Sequence, residues 1–126
     1  MAETDPSPRE LDVLKALWEL GSGSVREVHE KMCPDGELAF NTIQTLLRIM
    51  DEKGLVKHAA RGWTFVYSPA YSREQETARF LDKVFDGAID QFVASLLKSR
   101  RPSARELQQL REMLRAAPRG RGTRED

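Results

Sequence analysis

Five side chains in the stretch Ala39–Val56, AFNTIQTLLRIMDEKGLV, have types and spacing suited to reading the edges of nucleic-acid bases. On a helix turning about 100° per residue, Gln44, Thr45 and Arg48 fall within roughly 60° of Asn41, which Thr42 directly follows. Ile43, Leu46, Leu47 and Met50 gather in the opposite arc. The amides of Asn41 and Gln44 can pair with adenine in a major groove, and the Arg48 guanidinium can pair with guanine or reach the backbone. Thr42 and Thr45 suit a thymine methyl or a phosphate. An amphipathic helix with a merely solvated polar face would show the same pattern, so the helix alone does not decide.

The residues after the helix narrow the choice. Gly54 stops it, and KHAARGWTFVYSP then reads as strands over Leu55–Ala59 and Trp63–Ser68 around a turn at Ala60-Arg61-Gly62. Alternation puts Trp63, Phe65 and Tyr67 on a buried face. Lys53, Lys57 and Arg61 are placed to attract phosphates, with Gly62 permitting close approach. Upstream, Ser7…Glu10 and Ser24…Glu27 are capping boxes that open two helices, ended by Gly21 and by Cys33-Pro34-Asp35-Gly36. Ser24 would also present the first amides of its helix to a phosphate. Three helices and a hairpin over residues 7–70 describe a winged helix-turn-helix. The expected fold is mainly α with a small two- to three-stranded β wing.

Residues 71–116 read as helix throughout, opened by capping boxes at Ser72…Gln75 and Ser103…Glu106. Phe80, Leu81, Val84, Phe85, Ile89, Phe92, Val93, Leu96, Leu97, Leu107, Leu110 and Leu114 form apolar faces at helical spacing. Some 45 residues in short helices make no independent core of useful stability. Exposed faces of that size point to a homodimer interface, and a two-fold dimer can read both halves of a palindrome. Residues 1–6 and the tail 117–126, APRGRGTRED, are expected to be disordered.

Composition excludes several classes. The chain has 126 residues, one cysteine (Cys33) and two histidines, so a disulfide framework is excluded and a metal site is not expected. No apolar run can span a bilayer, and the acidic start is unlike a secretory signal, which gives a cytoplasmic expectation. Scattered carboxylates, the absence of a glycine-rich phosphate loop and the isolated histidines argue against an enzyme. No cofactor or small-molecule ligand is expected. Twenty basic and twenty acidic residues cancel, yet residues 37–73 hold five Lys/Arg against three Asp/Glu, and residues 101–126 hold seven against four.

Taken in order, PRELDVLKALWELGSGSVREVHEKM, AFNTIQTLLRIMDEKGLV, GWTFVYSPAYSREQ and ARELQQLREML resemble the penicillinase-repressor family of bacterial transcription regulators, the BlaI/MecI/CopY group. The resemblance covers about residues 8–115. It implies a DNA-binding domain, a helical dimerisation region, repression at a dyad DNA operator, and release by a regulatory protease. In the penicillinase repressors an Asn-Phe pair in the dimerisation helices is cut; here Ser95 and Leu96 stand at that place. The copper-responsive branch carries a cysteine-rich tail, which this chain lacks. Two other readings stay open: a winged-helix regulator of another family sensing a small molecule, and a helical protein-interaction adaptor without DNA binding.

Overall fold

A computed structural model of the chain describes residues 5–118, so the expectations for the two ends lie almost wholly outside the described residues. The elements are α1 (Pro8–Leu20), α2 (Val25–Met32), α3 (Phe40–Lys53), β1 (Val56–Arg61), β2 (Thr64–Pro69), α4 (Arg73–Phe85), α5 (Ile89–Ser99) and α6 (Ala104–Ala116). They form two compact units that divide inside α4, between Arg79 and Phe80.

Serines set the helix starts. Ser7, Ser24 and Ser103 each accept from the amide three residues on, while the glutamate there accepts from the serine's own amide. Ser72 and Gln75 do the same at α4. Each cap contributes about 1 kcal/mol. Helix α3 has no such cap, since Ala39 precedes it. Its C-terminus is well fastened instead. Gly54, left-handed at φ 82°, donates to the Asp51 carbonyl, and Leu55 donates to the Met50 carbonyl. This is a Schellman closure, with Met50 and Leu55 both buried.

The core of the first unit comes from Val13, Leu14, Ala16 and Leu17 of α1, Val28 of α2, and Ile43, Leu47 and Met50 of α3. Leu55, Val56 and Tyr67 close it from the sheet side. β1 and β2 pair antiparallel, with His58 opposite Tyr67 and Arg61 opposite Thr64. Gly23 exchanges two 2.8 Å backbone hydrogen bonds with Tyr67, an isolated antiparallel bridge beside a sheet that has two strands. A side chain at Gly23 would come within 3.3 Å of Leu20 Cδ1. The Trp18 indole donates to the Tyr71 carbonyl at 2.9 Å, and Arg73 lies 5.3 Å above its ring, which fastens the start of α4 to α1.

One polar group is buried among the described residues. Glu10 is 4% exposed, and Lys53 Nζ donates to its two carboxylate oxygens at 2.9 and 3.0 Å. Lys53 therefore ties α3 to α1, a fold role that the sequence expectation of a phosphate contact did not include. Burial pushes the Glu10 carboxyl up, but the bonds from Lys53 and Ser7 and the Lys53 charge outweigh it. The net shift is below the usual carboxylate range.

In the second unit no described residue is fully buried. Phe80, Phe85 and Phe92 meet edge to face, with centroids 5.6–6.5 Å apart. Val84, Ile89, Val93, Leu96, Leu97, Leu107, Leu110 and Leu114 stay exposed. Asp86 and Gly87, both at positive φ, end α4.

Lys53→Met leaves a buried carboxylate without its cation and is expected to lower stability by about 1–3 kcal/mol in urea unfolding. Because the native carboxyl binds its proton more weakly than the unfolded one, its contribution is complete above the ordinary carboxylate pKa of about 4.3. It should fade as pH falls from there through the depressed native value, a loss absent in Glu10→Gln.

Candidate nucleic-acid interface

The rotation of α3 about its axis is set by three fully buried residues, Ile43, Leu47 and Met50. On the other side, Asn41, Thr42, Gln44, Thr45 and Arg48 are all exposed, as their spacing predicts. They form one continuous polar row with Phe40 at its N-terminal end. Leu46, expected in the apolar arc, lies at its edge and is only partly buried.

The hairpin differs from the sequence expectation. β1 runs on to Arg61, so the connection is the two-residue turn Gly62-Trp63. Gly62 has φ 64° while Trp63 does not enter the positive region, the signature of a type II′ turn with glycine at its first central position. Trp63 therefore belongs to the turn and not to the strand. It is fully exposed, not buried as alternation suggested, and Arg61 flanks it on the ribbon. Phe65 is half exposed, and only Tyr67 of the expected buried trio reaches the core.

Cross-strand pairing puts His58, Phe65 and Tyr67 on the face toward the helices, and Lys57 and Arg61 on the other. The inner face is locked to α3. His58 Nδ1 and Asp51 Oδ2 are 2.5 Å apart, and the His58 ring packs 4.6 Å from Phe65. Burial pushes the Tyr67 phenol up, the Asp51 charge adds to this and Arg48 partly offsets it, so the hydroxyl keeps its proton at neutral pH. The wing is thus held by its base, and its outer half projects with basic residues on one face.

Between α2, α3 and β2 lies an open concavity of about 350 Å³ lined by Ser24, Val25, Arg26, Phe40, Gln44, Thr64, Phe65 and Tyr67. The Ser24 hydroxyl is taken by the Glu27 amide at 3.2 Å, so its role is the cap. The amides of Val25 and Arg26 have no acceptor within the helix and sit at its positive end, where an anion is favoured. The structure thus brings Ser24 and Gln44 to one concave surface. Lys57, Arg61 and Gly62 lie on the wing, and Lys53 is withdrawn to Glu10.

Arg26, Phe40, Thr64 and Trp63 were missed by sequence reasoning. For Trp63 the signal was present, since Gly-X between two strands favours a II′ turn. Arg26 and Thr64 carried no signal, because only the packing of α2 and β2 against α3 brings them to Gln44. Among the described residues there is no group of three His, Cys, Asp or Glu side chains that could hold a metal ion. His29 is occupied by the Leu38 carbonyl at 2.7 Å. No described helix is long and apolar enough to cross a membrane.

Comparison with known proteins agrees with this geometry. Residues 6–116 match the model of the penicillinase repressor family. The chain is 29% identical over 112 residues to the penicillinase repressor of Bacillus licheniformis, covering 86% of this chain and 88% of that protein. It is 25% identical over 116 residues to the penicillinase repressor of Staphylococcus aureus, covering 89% and 92%. Among solved structures it is similar to the DNA binding domain of the repressor BlaI, with a TM-score of 0.51 and 30% identity over 57% of this chain and 88% of that one. That likeness supports the winged-helix reading of the first unit. With nearly the whole described chain inside the family match, the chain belongs to the penicillinase repressor family, whose members are transcriptional repressors and not enzymes.

Proposed function

We propose that the protein is a sequence-specific repressor that binds a palindromic double-stranded DNA operator as a homodimer in the cytoplasm, laying α3 of each subunit in a major groove. The carrying observation is the exposed row Asn41, Thr42, Gln44, Thr45 and Arg48, held outward by the buried Ile43, Leu47 and Met50. Asn41 and Gln44 read bases, each paired contact contributing about 1–3 kcal/mol of discrimination. Arg26, Lys57 and Arg61 hold phosphates, assisted by the first amides of α2 at Ser24.

Dimerisation falls to the second unit. Its apolar side chains surround a groove of about 350 Å³ between Leu96, Leu97, Pro102, Leu110 and Met113. Fully burying one Leu or Phe gains about 1.5–3 kcal/mol, and a second copy of the same helices offers a matching face. Release then acts on the dimer. A regulatory protease cutting the exposed Ser95–Leu96 bond would remove α6 and split the shared face. That bond lies within the hydrogen-bonded helix α5, so α5 must open locally before it can enter a protease cleft.

Titration against DNA from its own upstream promoter is expected to give a salt-sensitive, sequence-selective complex. If Arg26, Lys57 and Arg61 of both subunits each neutralise one phosphate, log K against log salt should fall with a slope of about −5, and Lys57→Ala should flatten it by about 2. Gln44→Ala is expected to cost about tenfold or more on operator DNA and little on random DNA. Equal losses on both would refute base reading. Leu97→Asp, at an exposed position, should leave the winged unit's thermal stability unchanged, yet turn a dimer into monomers in sedimentation and weaken operator binding.

A further inference from the structure

Trp63 has no fold-level reason to be where it is. It occupies the second central position of the turn, pairs with no residue across the ribbon, packs on no ring among the described residues and is fully exposed. The tip around it is slender. A side chain built on Gly62 would meet nothing within 4 Å, and the next pair down is Arg61 with Thr64. Four residues of strand, at roughly 3.3 Å each, carry this tip about 13 Å from the buried Tyr67 that anchors the hairpin. The anchor itself is stiff, with His58 held by Asp51 and stacked on Phe65. The result is an indole on a rigid arm, with cationic Arg61 and Lys57 behind it on one face of the ribbon.

A large apolar side chain held permanently in water is explained by a bound state in which it is covered. The charges beside it select a polyanion for that state, and an aromatic plane among stacked bases is a stable arrangement. We propose that Trp63 is an apolar wedge that enters the minor groove beside the sequence read by α3 and partly unstacks one base step there. Arg61 secures the flanking phosphate or groove floor. The wedge adds specificity that base contacts do not supply: it favours operators with a flexible pyrimidine–purine step (TA or CA/TG) at the insertion point, because such steps unstack most readily. This rests on the proposed DNA-binding function and adds to it a second, deformation-based reading of sequence.

The test uses the full-length protein and promoter duplexes carrying 2-aminopurine at successive steps outside the half-sites. The wild type should raise 2-aminopurine fluorescence at one symmetric pair of steps. Replacing that pyrimidine–purine step by an A-tract should weaken binding about tenfold. Trp63→Phe should keep most of the signal. Trp63→Ala should lose it, together with about tenfold in affinity. Trp63→Arg is the sharper variant, since it adds charge at the same place; it should bind without the fluorescence rise. If Trp63→Ala binds as tightly as wild type, or the signal persists without the indole, the wedge is wrong while operator binding stands. If the wild type makes no sequence-selective complex at all, both the wedge and the function on which it rests are overturned.

Discussion

The structure depends on the burial of one side of α3. Ile43, Leu47 and Met50 are inaccessible to water against α1 and α2, and moving even one of them out would cost about 2–5 kcal/mol, as a core truncation does. That penalty leaves the helix a single rotation. It also dictates what the helix shows outward, because residues at 41, 44, 45 and 48 must then face away. The proposed reading surface is a consequence of packing rather than of any local preference of its polar residues. Lys53 adds a second restraint, pinning the last turn of α3 to a carboxylate buried under α1. The Schellman closure at Gly54 and Leu55 then aims the chain into β1 at a set angle.

The helices were legible because their signals are local. A serine three residues before a glutamate or glutamine marks four of the helix starts, and glycine ends three of the helices. The 3.6-residue period separated the faces of α3 correctly at most positions. The wing was less legible, because alternation and turn chemistry disagreed there. Alternation of Trp63, Phe65 and Tyr67 suggested a buried edge, whereas a glycine able to take φ 64° placed the turn at Gly62-Trp63 and moved the indole off the strand. The fold role of Lys53 is illegible for a different reason. Its partner Glu10 lies 43 residues away, and nothing in the sequence near either residue announces the pair. Arg26 and Thr64 joined the surface only through tertiary packing.

Charge shows the same division between sum and place. Overall neutrality argues against a nucleic-acid partner only if charge is spread evenly, and here it is not. Glu10 takes up Lys53 and Asp51 takes up His58, so both acids serve the fold. Lys57 and Arg61 remain on the outer face of the wing, and Arg26 and Arg48 on the surfaces of α2 and α3. The second unit poses the complementary problem. Its α6 is capped by Ser103 and its three phenylalanines meet, yet Leu96, Leu97, Leu107, Leu110 and Leu114 stay exposed. A unit of this size cannot bury them by itself, and that shortage of core supports the proposed pairing with a second copy.

The central claim is that the outward row of α3 enters the major groove twice per dimer. Protection of guanine N7 from methylation on the upstream promoter tests this most directly, since N7 lies on the major-groove edge. Two symmetric clusters of protected guanines are predicted, separated by about one or two turns of roughly 10 base pairs each. Both clusters should disappear in Gln44→Ala with Asn41→Ala at protein concentrations that still cover the duplex. A bound complex with every N7 open to reagent, or with protection in one cluster alone, would contradict the claim.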